Sequence, residues 1–518
     1  MSNIPPKVPT VNDLIEIAKD FGIRLAPEEA EQYRTLMLGA FDVYEWMEQQ
    51  EECRLPIQYP RTGGYRPDRA DNPYNAWFWR DEISGATSGP LNGKRVGIKD
   101  TVCVAGLPMI NGSRMLDGYI PDIDATVVTR LLDAGATILG KTTVNSGVGD
   151  PIESNSPFAT VRNPRKPTHA PGGSSNGSAA ALVAGDIDLA IGGDQGGSIR
   201  IPASWSGVVG LKPTYGLVPY TGILPIEMTI DHVGPMANNV RDLALMLSVI
   251  AGPDNLDPRQ CGLAVELPDY VKAASNGVDG LRLALLKEGF GHTANADIGL
   301  PASEEVVDRK VQAAAEKLKS LGAIVDQVSI PAHTDGLRIF YGFYTEGAAD
   351  QMIRGNFVGN NWMGYYNQSL AEYAGRAMQE RPNDLSPAFK GILLLGEYLK
   401  RTTHGRYYAI GQNLRRKLRK SYDEAFSEYD ALLFPTTPFR ATPIPSSNCD
   451  VRESVSFAMR MIGNTCQFGV TGHPAISVPC GMEEDLPIGL QIVGRHFNES
   501  MLLRIANAIE GLGDWVKL

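Results

Sequence analysis

With 518 residues, 43% hydrophobic and 21% charged, the chain has the composition of an ordinary soluble globular protein and the length for one large domain or two to three smaller ones. Its 48 basic and 59 acidic side chains leave a net charge of −11, which repels a phosphate backbone and argues against nucleic acid as a direct partner. The six cysteines, at 53, 103, 261, 449, 466 and 480, form no C-x-x-C pair, have no histidine nearby at metal-ligand spacing, and read as reduced thiols.

The N-terminal "MSNIPPKVPTVNDLIEIAKDFG" lacks both the apolar stretch of a secretory signal and the Arg-rich, acid-poor face of a transit peptide. Nowhere does an uncharged apolar run approach the roughly 20 residues that span a bilayer. A cytoplasmic protein with no membrane partner is expected. From Val11 to about Glu48 the pattern is helical. Leu14, Ile15, Ala18 and Phe21 mark one stripe, and Tyr33, Leu36, Met37, Ala40, Phe41, Tyr44 and Met47 mark a second. Pro27 followed by Glu28 and Glu29 suits the start of the second helix, where a missing N–H is harmless and acid complements the dipole. The pair reads as packed on the main body or as an element that joins two copies into a homodimer. Residues 53–93, rich in Pro, Gly and Asn without a clear period, read as a long extended connection. The division expected is an N-terminal helical segment and linker over 1–70 and a main domain over 71–518.

Past the connection the chain alternates. "KRVGIKDTVCVAG" reads as strand, "DATVVTRLLDAG" as a helix ended by Gly135, "ATILGK" as strand, "SAAALVAG" as helix and "DLAIGG" as strand. The rhythm returns at "NVRDLALMLSVIAG", at "LRLALLKE", in a helix from Ser303 to Leu321 closed by Gly322, and in the strand "AIVDQVSI". Between about 330 and 425 aromatic, Met, Gln and Arg residues replace strand signals, and this stretch reads as a helical insertion forming a wall or lid. Strands resume at "YDALLFPTTP", "AISVPCG" and "IGLQIVGRHF", and the helix "ESMLLRIANAIEGL" closes the chain. Such alternation implies an α/β fold, a sheet sandwiched between helices.

Chemistry concentrates in residues 172–216, "GGSSNGSAAALVAGDIDLAIGGDQGGSIRIPASWSGVVGLKPTYG", where two Gly/Ser clusters are separated by a helix and a strand. A serine hydroxyl needs a base before it can attack. "GSSNG" matches the nucleophile elbow G-x-S-x-G at Ser175, but it requires a downstream histidine, and His404, His473 and His496 all lack a telling context. "GGDQGGS" and "GGSSNGS" could cradle an anion on backbone N–H groups, yet neither fits a P-loop or a dinucleotide fingerprint. A third arrangement passes the serine proton through a second serine to a lysine.

That third arrangement is the one the wider sequence resembles. "GGSSNGSAAALVAG" followed by "GGDQGGSIRIPASWSGVVGLKPTYG" is similar to the core signature of the amidase signature family of serine hydrolases. "VGIKDTVCVAGLP" and "VRNPRKPTHAPGGSS" upstream, and "DHVGPMANNVRDLALML", "YDALLFPTTP" and "GHPAISVPCGMEEDLPIGLQIVGRHFNESMLLRIA" downstream, follow the family's other landmarks over roughly residues 90–510. The resemblance implies a large mixed central sheet with helices on both faces. It also implies an amide hydrolase working through an acyl-enzyme, with Ser198 as nucleophile, Ser174 as bridging serine and Lys99 as base. Family members hold the bridging serine after a cis peptide bond, here Gly173–Ser174. The N–H groups of Gln195, Gly196, Gly197 and Ser198 would bind the oxyanion, and no metal or organic cofactor is called for. Asp194 is expected to shape the loop, and Arg200 to pair inside the fold.

Two departures stand out. Asn176 replaces the common family glycine, and the segment after "GKT" reads "TTVNSGVGD" where family members often carry an acid. Gln195, the N-terminal helices and "PMINGSR" (108–114) resemble the nitrile-pathway subgroup acting on small aliphatic and aromatic primary amides, with carbamates and anilides chemically reachable. Rival expectations are the glutaminase subunit of a tRNA-dependent amidotransferase and a non-catalytic anion-binding module.

Overall fold

The computed structural model describes residues 7–50, 54–144, 160–262, 266–295, 300–446 and 449–517. The chain divides into two compact units, Met1–Pro56 and Ile57–Leu518. The first holds α1 (Val11–Asp20) and α2 (Pro27–Glu48). A capping box opens α1: the Asp13 N–H donates to Thr10 Oγ1 at 3.2 Å and the Thr10 N–H to the Asp13 carboxylate at 2.7 Å, satisfying two amides that a helix start leaves free. Pro27 begins α2, where its fixed φ is already helical.

The second unit is built on eleven strands among the described residues. They are β1 (Trp77–Ser84), β2 (Arg95–Lys99), β3 (Thr137–Thr142), β4 (Leu189–Gly193), β5 (Val209–Lys212) and β6 (Val233–Ala237). β7 (Arg282–Leu286), β8 (Ile324–Val328), β9 (Ala431–Pro435), β10 (Ala475–Glu483) and β11 (Leu486–Gly494) complete the set. They form one sheet in the order β1-β3-β2-β4-β6-β5-β10-β11-β9-β7-β8. β2 runs parallel to β3 and β4, and β7 parallel to β8 and β9, whereas the remaining neighbours are antiparallel. The sheet is therefore mixed, as expected.

Strand alternation splits the apolar residues between two faces. On β4, Leu189 and Ile191 enter one core, shared with α3 (Thr126–Asp133), α6 (Val240–Ile250), α7 (Tyr270–Ala274), α8 (Glu305–Lys319) and α15 (Glu499–Glu510). Ala190 between them enters the other, under α4 (Asn176–Ala184) and α5 (Arg200–Ser206). Each buried Leu or Ile contributes about 1.5–3 kcal/mol, so a one-residue slip that exchanged the faces is heavily disfavoured.

Two differences from the sequence reading have physical causes. The stretch read as an extended connection contains β1, whose register against β3 shifts twice. Trp77 and Phe78 are consequently buried side by side, which erases the period-two signal. β5 and β6, also unanticipated, are only four and five residues long, carry Gly or Pro, and are buried along their whole length. The stretch from 330 to 425 is helical as expected, with α9 (Gly336–Ala348), α10 (Gln368–Glu380), α11 (Pro387–Thr403) and α12 (Arg406–Ala425). α13 (Val451–Met459) and α14 (Cys466–Thr471) follow β9. No helix among the described residues is long and apolar enough to cross a membrane.

Candidate active site

Parallel neighbours end on the same edge of a sheet, and the loops leaving them meet there. Lys99 is the last residue of β2 and Gly193 the last of β4. The buried Lys99 Nζ donates to Ser174 Oγ at 2.8 Å and to the Gly193 carbonyl at 3.2 Å. Burial pulls its pKa from 10.5 down to about 7, against the opposing influence of the Asp194 charge. Asp100, the next residue, is occupied elsewhere: its carboxylate lies 3.0 Å from Lys141 Nζ, with both side chains fully buried.

Ser174 follows a cis peptide bond from Gly173. The neighbouring Ser175 hydroxyl is spent on β4, donating to the Gly193 carbonyl and accepting from the Gly193 N–H, both at 3.2 Å. That leaves the elbow reading without a base: His473 faces Asp423, and His404 closes α11. The Ser175 N–H donates to the Ser198 carbonyl at 3.1 Å and so ties the two Gly/Ser clusters together. Ser198 is half-buried, and its hydroxyl makes no hydrogen bond to a described residue. The Lys99–Ser174 contact is thus formed and a Ser174–Ser198 hydrogen bond is not. Asn176, the departure from the family glycine, begins α4, and its Oδ1 accepts from the Gly177 N–H at 3.1 Å. The other departure, in "TTVNSGVGD", falls mainly within residues 145–159, outside the described residues.

Asp194 and Arg200 shape the second loop from inside, as expected. Arg200 Nε and Nη2 donate to the Asp194 carboxylate at 2.9 and 2.8 Å, the Ile199 N–H joins them at 3.2 Å, and Arg200 Nη1 donates to Gln491 Oε1 at 2.8 Å. Between these anchors, the N–H groups of Gln195, Gly196, Gly197 and Ser198 donate to no described residue. Buried amides ordinarily have partners. Four successive amides with no partner among the described residues make an arc suited to receiving an anion.

Several residues that hold this arc come from segments the sequence reading did not single out. Thr465 Oγ1 donates to the Gly196 carbonyl at 2.5 Å. Gln195 Nε2 donates to Tyr220 Oη at 3.0 Å and to Asp231 Oδ1 at 2.9 Å. Burial raises the Asp231 pKa to about 7, opposed by the Arg259 charge and the Gln195 bond. A Cβ at Gly196 would lie 3.5 Å from both Phe340 of α9 and Ile462, so these two side chains wall the loop. Tyr220 and Asp231 also line a cavity with Phe357, Trp362 and Tyr366. The one available clue was Asp231 itself, within the landmark "DHVGPM"; the others are remote along the chain.

The comparisons with known proteins place this α/β chain among hydrolases of amide C–N bonds. The family model described as Amidase matches residues 76–503, and the chain belongs to that family. An enantioselective amidase from Rhodococcus rhodochrous is 40% identical over 518 residues, 99% of this chain and 98% of that one. A glutamyl-tRNA(Gln) amidotransferase subunit from Lysinibacillus sphaericus is 36% identical over 83% of this chain and 85% of its own. Among solved structures, 6-aminohexanoate cyclic dimer hydrolase complexed with substrate superposes with a TM-score of 0.70 at 28% identity, covering 83% of this chain and 86% of that one. The glutamyl-tRNA(Gln) amidotransferase subunit from Thermotoga maritima gives 0.67 at 32% identity, covering 82% and 84%.

Proposed function

We propose that the chain hydrolyses small aliphatic or aromatic primary amides to carboxylate and ammonia through an acyl-enzyme on Ser198. The carrying observation is the buried Lys99 amine, its pKa lowered to about 7, in hydrogen-bond contact with Ser174 beside four amides with no partner among the described residues. Neutral Lys99 accepts the Ser174 proton while Ser174 accepts that of Ser198, and the Ser198 oxygen attacks the amide carbon. The carbonyl oxygen becomes an oxyanion held by the N–H groups of residues 195–198. The relay then runs backwards, delivering the proton from Lys99 through Ser174 to the departing nitrogen, because an unprotonated amide anion is too basic to leave. Water, activated by the same path, releases the carboxylate. Carbamates and anilides are reachable by the same steps. Phe340, from the helical stretch over about 330–425, is read as part of the substrate wall.

The near end-to-end match to an amidase, N-terminal helices included, favours a stand-alone enzyme over an amidotransferase component, whose relatives cover 83% of the chain. The cysteine usage supports a cytoplasmic location: Cys103, Cys261, Cys466 and Cys480 are free thiols. A second copy is the partner we assign to the N-terminal helices, where Phe21, Leu36, Trp46 and Met47 are exposed. The test is ammonia or amine release from acetamide, benzamide, glutamine, an anilide and a carbamate ester. Release from simple amides by the isolated chain, lost in Ser198→Ala together with fluorophosphonate labelling, is expected. Activity confined to glutamine and dependent on added subunits would assign the amidotransferase role instead. Absent labelling with phosphate-dependent stabilisation would make the loops an anion-binding module.

A further inference from the structure

A second cluster of titratable groups lies outside the relay. Asp423 near the end of α12, His473 between α14 and β10, and His496 just after β11 each offer one ligand atom, all within 4.8 Å of one another. His473 Nε2 is 3.0 Å and His496 Nδ1 4.0 Å from the same Asp423 Oδ1, and the two imidazole centroids are 4.0 Å apart. Ligand atoms about 2.0–2.1 Å from a tetrahedral ion stand roughly 3.3 Å from each other, so the observed separations bracket what a shared ion requires.

The far nitrogens of both rings are held by one residue. His496 Nε2 lies 3.1 Å from the Thr471 carbonyl, and His473 Nδ1 lies 2.9 Å from Thr471 Oγ1. A carbonyl can only accept, so His496 carries its proton on Nε2 and turns a bare lone pair on Nδ1 toward Asp423. Metal-ligating imidazoles are oriented in this way, by outer hydrogen bonds that fix the tautomer. Lone pair and carboxylate oxygen then face each other across 4.0 Å with no proton between them. Arg419 Nε, at 3.5 Å, balances the other carboxylate oxygen, Oδ2, and leaves Oδ1 to the two rings. His473 is fully buried while the Asp423 side chain is 49% exposed, which gives an ion a path from solvent.

We propose that Asp423, His473 and His496 bind one divalent first-row transition-metal ion, with zinc as the representative, at a site separate from the Ser174–Lys99 contact. Two imidazoles and one carboxylate suit zinc, cobalt, nickel or copper better than calcium or magnesium. On binding, the His473 proton moves from Nε2 to Nδ1, where Thr471 Oγ1 accepts it, so the step needs no net proton release. The ion would fasten α12 to the ends of β10 and β11. Because α12 packs on α9, which carries Phe340, the ion would join the helical stretch to the sheet.

The test uses the full chain, stripped with EDTA, desalted and titrated with zinc chloride, with metal content measured after a second desalting. One zinc per chain is expected, with cobalt giving ligand-field absorption bands of a low-coordinate nitrogen and oxygen site. His496→Ala and the surface-side Asp423→Asn should each weaken zinc binding about 100-fold or more, and Thr471→Val by about 10–100-fold. Zinc should raise the Tm of the unmutated chain by several degrees and leave that of His496→Ala unmoved. Amide turnover of the EDTA-treated Asp423→Asn variant should match the unmutated chain. The proposal falls if zinc is not retained at one per chain, or if His496→Ala and Asp423→Asn bind it as tightly as the unmutated protein.

Discussion

Lys99 can act as a base only without its proton, and burial provides that near neutrality. Activity should therefore rise with pH through an apparent pKa near 7 and fall away on the acid side, in a kcat/KM profile on a non-titrating amide. Stability follows the same group. The lysine value is 10.5 when solvated and about 7 in the fold, so between those limits the unfolded chain holds a proton that the folded chain lacks. Stability from this group accordingly rises with pH across that window and is flat below it. Lys99→Met should abolish turnover, and relative to it the unmutated chain should gain about 2 kcal/mol in urea unfolding between about pH 7 and pH 9. A second contrast concerns adjacent glycines. At Gly197, with φ +136°, a Cβ would collide with Thr465 Oγ1, whereas at Gly196 it meets neighbours at ordinary contact distance. Gly197→Ala should lose at least about 3 kcal/mol of stability and nearly all turnover, and Gly196→Ala should stay within about 1 kcal/mol of the parent. Equal denaturation midpoints for the two variants would contradict this reading of the arc.

Among elements, Asp100, the residue after β2, and Lys141 of the parallel strand β3 form a buried pair just beside Lys99. Removing one partner of such a pair strands the other charge away from water, so Lys141→Met should destabilise the protein by about 3–5 kcal/mol, measured by denaturant unfolding. Asp100→Asn with Lys141→Met should recover part of that loss. What the sequence disclosed at this scale follows from which signals survive burial. Helices α3, α8 and α15 keep a 3.6-residue stripe because one face stays wet, and Gly135, Gly322 and Gly511 mark their C-terminal ends. β5 and β6 offer neither alternation nor length, being buried on both faces, and the register shifts of β1 scramble its pattern. The same logic applies to the site. Lys99, Ser174 and the 195–198 loop sit in compact Gly/Ser text that a family resemblance can locate. Thr465, Phe340 and Ile462 reach the loop only through the tertiary fold. α9 supplies Phe340 to that wall, so Phe340→Ala should raise KM for aromatic amides about tenfold while leaving fluorophosphonate labelling of Ser198 intact.

For the whole molecule, the two units differ in how they keep apolar surface from water. Both apolar cores described above are built from residues beyond Ile57, so the second unit has its own interior. The first unit exposes Phe21, Leu36, Trp46 and Met47 at 77%, 78%, 59% and 57%. Exposed apolar side chains on a helix pair are the ground for the proposed pairing of two copies, in which each would offer the same residues through a two-fold axis. Deleting residues 1–56 should then yield a chain that unfolds cooperatively and hydrolyses amides with kcat within about twofold of the parent, because Lys99, Ser174 and the 195–198 loop all belong to the second unit. Sedimentation at micromolar concentration should give a dimer for the full chain and a monomer for the truncated one. Charging the surface instead, with Leu36→Glu and Trp46→Glu in the full chain, should separate the copies without touching turnover. A full chain that sediments as a monomer, or a truncated one that still pairs, would move the interface elsewhere on the molecule.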